Sequence, residues 1–185
     1  KTIIGNPDNK DVRMGALASK VQVERVKKNV ELLMESQEKV FDNSQKLNLE
    51  DASLEKGAFF SPVLFRNDEP LLKDAVHNIE AFGPVSTLIP YKNMAEAVEL
   101  VEMGKGSLVT SFVSNDDKKS KEFVVETAHT NGRILVLNSR CSKESTGHGS
   151  PMPQLVHGGP GRAGGGEEMG GIRGIKHYLQ RTAIQ

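Results

Sequence analysis

The sequence predicts an α/β fold, a largely parallel sheet flanked by helices, and three observations predict it. Between residues 85 and 138, five segments alternate between strand-like and helix-like, which implies right-handed crossovers and parallel pairing. Val23, Val26, Val30 and Leu33 recur at three- and four-residue steps, the stripe of a helix that buries one side. The 185 residues are 37% apolar, enough for the core of a single domain over 1–185, yet no apolar run approaches the roughly 18–20 residues of a membrane span.

The elements follow in order. Ser19 and Gln22 have the spacing of a capping box, in which each side chain satisfies an orphan amide of the other's turn, so the first helix starts there. Lys27, Lys28, Glu31 and Glu35 fall off its apolar stripe and read as a solvated face. Residues 42–56 are polar without a strong pattern and read as a connection with room for some helix. Gly57 to Phe65 is aromatic and β-branched enough for a strand, with Pro62 marking an edge or a bend. Val85 to Tyr91 is a second apolar strand. Asn93 caps a helix with Glu96 at its third position and Met94, Ala97, Val98 and Val101 inward, and Gly104 and Gly106 end it. Ser107 to Val113 is a strand, and 116–130 a helix with Phe123, Val124 and Ala128 inward. Asn131-Gly132 offers left-handed positions to stop that helix, and Arg133 to Asn138 is a strand apolar enough for burial on both faces.

Composition narrows the function. With 24 basic and 24 acidic side chains the formal charge is zero, and the absence of a large basic block argues against nucleic acid as partner. A lone cysteine, Cys141, excludes an internal disulfide framework and a cysteine-based zinc site, and fits a reducing, cytoplasmic setting. The five histidines never form the four-residue helical pair of a zinc protease, so no metal is expected. The chain opens on Lys1 with neither the charged end nor the apolar core of a signal peptide, and eleven of its 18 glycines lie in residues 147–185. That start leaves two readings: a piece of something larger, or a processed terminus.

Three stretches are candidates for chemistry. Gly159-Pro-Gly161-Arg-Ala-Gly164 formally matches the dinucleotide fingerprint G-x-G-x-x-G, but no ribose-binding acid follows at about 20 residues. These glycines read instead as a tight backbone loop packed closely on its neighbours, with a helix starting near Glu167. Cys141 has His148 seven residues on, but no activating base or helix start is specified, and a small loop residue is the better reading. Glu80-Ala-Phe82-Gly83-Pro84 is the most informative stretch. An acid that can accept from ligand hydroxyls and a ring with a flat apolar face straddle a turn into a strand; the alternative is an ordinary loop acid beside a core phenylalanine.

Glu80-Ala-Phe82-Gly83-Pro84-Val85 resembles the E-x-F-G-P-V signature of the aldehyde dehydrogenase superfamily. Gly5-Asn-Pro7 with Met14-Gly15-Ala-Leu17 resembles the segment that follows the family's nucleophile region, and Gly57 to Phe65 its G-x-F-x-x-P-x-x-F strand. Gly158-Gly159 through Gly164, Glu167 and Gly170 resembles, in altered form, its closing glycine-rich segment. The order is co-linear over essentially the whole chain. Residues 143–168 further resemble the branch that oxidises acyl-CoA semialdehydes in phenylacetate ring cleavage, with a benzoyl-CoA pathway relative sharing much of this tail.

The resemblance implies a three-layer catalytic domain with a C-terminal oligomerisation strand near Arg181 to Gln185, and a homo-oligomer. It implies NADP or NAD as cofactor, with Glu80 holding the nicotinamide-ribose hydroxyls and Phe82 packing near the nicotinamide ring. In the family a Cys thiolate attacks the aldehyde, hydride passes to the nicotinamide, and a Glu base activates water for thioester hydrolysis. By resemblance that Cys and Glu, and the dinucleotide-binding domain, lie upstream of the segment matched by Gly5, so this chain carries no catalytic residue and Cys141 is not the nucleophile. Asn138, His157, Gly158 and Gly159 fall where the family shapes its substrate loop. Val156-His157-Gly-Gly replaces the usual Pro-Phe-Gly-Gly, which puts general substrate rules out of reach. The isolated chain is therefore expected to be an inactive portion of an NAD(P)-dependent aldehyde dehydrogenase whose partner is the rest of the polypeptide. The rival expectation is an assembly or regulatory module that keeps the fold without the chemistry.

Overall fold

The computed structural model describes residues 2–42, 47–145, 156–164 and 168–169, and single positions 172, 175, 179, 182 and 184. The chain divides into two compact units, Lys1–Pro90 and Tyr91–Gln185.

The first unit runs β1 (Ile4–Gly5), α1 (Lys20–Met34), β2 (Glu38–Asp42), β3 (Leu49–Glu50), β4 (Val63–Arg66), α2 (Ala75–Asn78) and β5 (Val85–Leu88). Its sheet is ordered β2-β4-β5, with β4 and β5 parallel and β2 antiparallel to β4; β1 and β3 form a separate parallel pair. Helix α1 begins where the cap predicts, with the Ser19 hydroxyl accepting from the Gln22 amide at 3.2 Å. All four stripe residues, Val23, Val26, Val30 and Leu33, are buried. Val26, Val30 and Leu33 pack with Val63, Phe65 and Ala81 as the core of this unit. A fully buried side chain of this kind contributes about 1.5–3 kcal/mol through removal from water.

Three expectations change here. The strand expected over Gly57 to Phe65 shortens to β4, because the Ala58 carbonyl bonds the Leu17 amide and Pro62 has no amide to offer a ladder. The charged segment Glu38–Asp42, unremarkable as sequence, becomes strand β2 by pairing across a bulge between Lys39 and Phe41. Strand β5 takes β4 as its parallel neighbour, so the alternating run from 85 to 138 is divided near Pro90.

The second unit runs α3 (Met94–Met103), β6 (Ser107–Val113), α4 (Asp117–Thr127), a 3₁₀ turn (Ala128–Thr130), β7 (Asn131–Leu137), β8 (Val156–His157), a second 3₁₀ turn (Gly161–Ala163) and β9 (Glu168–Met169). Strands β6 and β7 are parallel around α4, and β8 and β9 are antiparallel. The Asn93 carboxamide accepts from the Glu96 amide at 3.0 Å, and Glu96 accepts in return from the Lys92 amide at 2.7 Å. Phe112 and Phe123 stack with centroids 4.4 Å apart.

Asn131 is not left-handed: it is extended at φ −127° and opens β7. Its side chain does the stopping, donating to the Thr127 carbonyl at 2.8 Å while accepting from the Thr110 hydroxyl. Thr127, not Ala128, is the buried end of α4, its hydroxyl closed on the Phe123 carbonyl at 2.7 Å. Glu168–Met169 pair with β8 as β9, so the helix expected near Glu167 lies further on, with Ile172 and Ile175 helical. The closing strand expected from Arg181 to Gln185 lies largely outside the described residues.

Candidate functional site

The turn from Glu80 to Gly83 is built on one face of α1. Gln22, Val26 and Asn29 are spaced four and three residues apart, which stacks them along that face. Asn29 Nδ2 donates to the Glu80 carbonyl at 2.8 Å, and Gln22 Nε2 donates to the Phe82 carbonyl at 2.5 Å. Between them Val26 is completely buried, and a Cβ on Gly83 would come within 2.8 Å of its Cγ2. Glycine is required there by close approach. The small side chain of Ala81 points into the core.

With the backbone fixed inward, the Glu80 and Phe82 side chains stand outward. Glu80 is exposed, and Phe82 is 71% exposed, so the reading of Phe82 as a core residue does not hold. Phe82 also sits at φ +49°. A left-handed non-glycine residue of this kind costs on the order of 1–3 kcal/mol and persists only where its surroundings dictate it. An exposed, strained aromatic ring two residues from an exposed carboxylate suits a ligand with a diol and a flat ring.

Sequence reasoning missed Gln22 and Asn29. Gln22 was assigned a return bond to the cap, but its side chain goes to Phe82 instead. Asn29, a half-buried polar residue beside an apolar stripe, was the available signal. A separate open groove of about 380 Å³ runs along another face of α1, lined by Lys20, Val23, Glu24, Lys27, Leu54 and Phe59. Its cations are engaged, Lys27 by Glu24 at 2.8 Å and Lys20 by the Glu55 carbonyl.

In the second unit the tail residues Gly158 and Gly159 are wedged against backbone. A Cβ on Gly132 would overlap the Gly158 carbonyl, and one on Gly159 would approach the Ser107 carbonyl at 2.6 Å. Gly106, at φ +112°, meets the Pro160 carbonyl in the same way. The glycines therefore work by close approach, as the sequence suggests. The backbone of His157 lies in β8, paired with Glu168.

Asn138 is used locally. Its Oδ1 accepts from the Arg140 and Cys141 amides at 2.9 and 3.2 Å, and its own amide lies 3.4 Å from Cys141 Sγ. It shapes the turn that ends β7, and Cys141 is a half-buried thiol within that turn. His148 lies outside the described residues. Among the described residues, no group of three or more His, Cys, Asp or Glu side chains is placed to hold a metal ion. Among them also, no helix is long and apolar enough to cross a membrane. Of the described titratable groups, His77 has its pKa held below the ordinary 6.5, chiefly by burial and opposed by nearby Asp74.

The parallel strand pairs, the flanking helices and the Glu80–Pro84 turn are those of an α/β protein of aldehyde dehydrogenase type. Residues 1–184 match the aldehyde dehydrogenase family model, and the chain belongs to that family. Among its curated relatives it is 48% identical over 172 residues to protein MaoC of Klebsiella aerogenes, covering 93% of this chain and 50% of that one. It is 37% identical over 157 residues to 3,4-dehydroadipyl-CoA semialdehyde dehydrogenase of Aromatoleum evansii, covering 85% of this chain and 30% of that one. The chain thus spans half or less of the curated relatives it matches. In structure it matches betaine aldehyde dehydrogenase of Staphylococcus aureus, solved in complex with NAD+, at a TM-score of 0.75 and 20% identity over 96% of this chain and 33% of that one. A 3,6-anhydro-L-galactose dehydrogenase matches at a TM-score of 0.73 and 23% identity, over 96% and 34%. At these identities the likeness establishes the fold.

Proposed function

We propose that this chain is the later part of the catalytic domain of an NAD(P)-dependent aldehyde dehydrogenase, both compact units belonging to that one domain. The observation that carries the reading is the Glu80–Gly83 turn, which fixes its backbone and leaves an acid and a ring exposed. Glu80 accepts from the nicotinamide-ribose hydroxyls and Phe82 lies against the nicotinamide ring. The bound dinucleotide, NADP or NAD, supplies the hydride acceptor. Asn138, His157, Gly158 and Gly159 belong to the part that shapes the aldehyde entrance. The tight backbone packing around the two glycines, and the turn Asn138 holds at the end of β7, give that entrance a rigid frame.

The substrate class in this reading is an acyl-CoA semialdehyde released by aromatic ring cleavage, as in phenylacetate breakdown, oxidised to its carboxylate. The semialdehyde dehydrogenase among the relatives and the shared tail of residues 143–168 support it. The nucleophilic Cys, the base Glu and the dinucleotide-binding domain belong to the remainder of the polypeptide, which assembles in the cytoplasm as a homo-oligomer.

The test compares the purified 185-residue chain with the full-length polypeptide. Full-length protein is expected to form NADPH or NADH from a CoA-linked semialdehyde faster than from simple aliphatic aldehydes, and the chain alone to form none. Reduced dinucleotide made by the chain alone, or full-length protein inert to every aldehyde, overturns the reading. The second outcome would favour the assembly module.

A further inference from the structure

We infer that Asn29 and Gln22 are positioning residues that clamp the Glu80–Phe82 turn from α1 and so set the affinity of the site for its dinucleotide. The inference rests on the proposed role of Glu80 and Phe82 and goes one layer beneath it.

The geometry is that of a two-point clamp. Asn29 Nδ2 holds the Glu80 carbonyl at 2.8 Å and Gln22 Nε2 holds the Phe82 carbonyl at 2.5 Å, so the two carbonyls flanking Ala81 are both turned toward the helix. Ala81 is buried in the core cluster, and Val26 lies directly under Gly83. With carbonyls, Ala81 and Gly83 all committed inward, the Glu80 and Phe82 side chains have only the outward direction left. Phe82 at φ +49° is the conformation this arrangement demands and one that a phenylalanine does not adopt unaided.

Neither amide is needed to hold the helix. The N-terminal turn of α1 is capped by the Ser19 hydroxyl, and the buried stripe is aliphatic. The cost of losing either donor therefore falls on the turn. Released from one carbonyl, Phe82 can relax toward an ordinary negative φ, which swings the ring away from the acid. That spreads a prepared ligand-binding arrangement over several conformers and weakens binding by the fraction still competent.

The test uses Asn29→Leu and Gln22→Met, which keep side-chain bulk and remove the donor. In the 185-residue chain both are expected to move the Phe82 and Gly83 amide resonances and speed amide exchange at 80–83, with the exchange of the α1 interior unchanged. In the full-length polypeptide both are expected to raise the dinucleotide KM by about tenfold, the loss expected for one good hydrogen bond, with the aldehyde KM unchanged. Glu80→Gln and Phe82→Ala are the controls. A raised dinucleotide KM in the controls beside an unchanged one in Asn29→Leu and Gln22→Met overturns the clamp alone. An unchanged KM in the controls overturns the reading of the turn, and the clamp with it. A general loss of α1 protection in either variant assigns the amides a merely structural role and also overturns the clamp.

Discussion

The Glu80–Gly83 turn and the Gly158–Gly164 loop both depend on glycine packed against a neighbour, yet the neighbours differ in kind. Gly83 faces the side chain of Val26, so the atoms it meets belong to a side chain and not to the backbone. Gly132 and Gly106 face the carbonyls of Gly158 and Pro160, which are fixed by the backbone around them. In the first region side-chain amides hold the main chain so that two side chains stand free. In the second the main chain packs on itself and side chains are dispensed with. A region of the first kind offers named functional groups to a ligand, and one of the second kind offers shape.

That contrast sets the scale of mutational effects. Gly132→Val, which drives a branched side chain into the Gly158 carbonyl, is expected to destabilise the second unit by about 3 kcal/mol, near the upper end for overpacking. The drop in its urea midpoint checks this. Gly83→Ala meets only Val26 and is expected to cost about 1–2 kcal/mol in the first unit. Equal losses from the two substitutions would erase the distinction.

Phe82→Gly should separate stability from function. The ring is 71% exposed and the backbone strained, so glycine is expected to raise the thermal stability of the first unit by about 0.5–1 kcal/mol while weakening dinucleotide binding. A loss of stability instead would show that the ring is held by packing.

The smallest effect concerns pH. His77 has its folded pKa lowered by burial, with Asp74 opposing, so the native state favours the neutral ring. Its contribution is fully present above the ordinary value of 6.5 and is lost as pH falls below that value toward the folded pKa. His77→Gln is expected to flatten the acid limb of the stability profile of the first unit and leave the second unchanged. A profile identical to wild type would remove His77 from the account.

Much of the fold was legible because local signals agreed with tertiary need. Ser19, Asn93 and the valine stripe of α1 each point one way, and the structure follows them. Strand β2 was not legible, since Glu38-Lys-Val-Phe-Asp42 becomes a strand only by pairing with β4, and that contact is absent from any local pattern. Asn131 misled for a related reason: asparagine before glycine suits a left-handed stop, but its side chain reaches back to Thr127 and frees the backbone for β7. At the site, Glu80 and Phe82 stood out through chemistry and motif. Gln22 and Asn29 did not, because their partners are carbonyls 60 and 51 residues away that no sequence spacing marks.

In the proposed function, the exposed acid and ring of the Glu80–Gly83 turn hold the nicotinamide half of the cofactor. The dissociation constants of NADPH and NADH for the full-length polypeptide, wild type beside Glu80→Gln and Phe82→Ala, test it directly. Binding is expected to weaken by about tenfold or more in each variant, with melting temperatures close to wild type. Unchanged dissociation constants in both variants would contradict it.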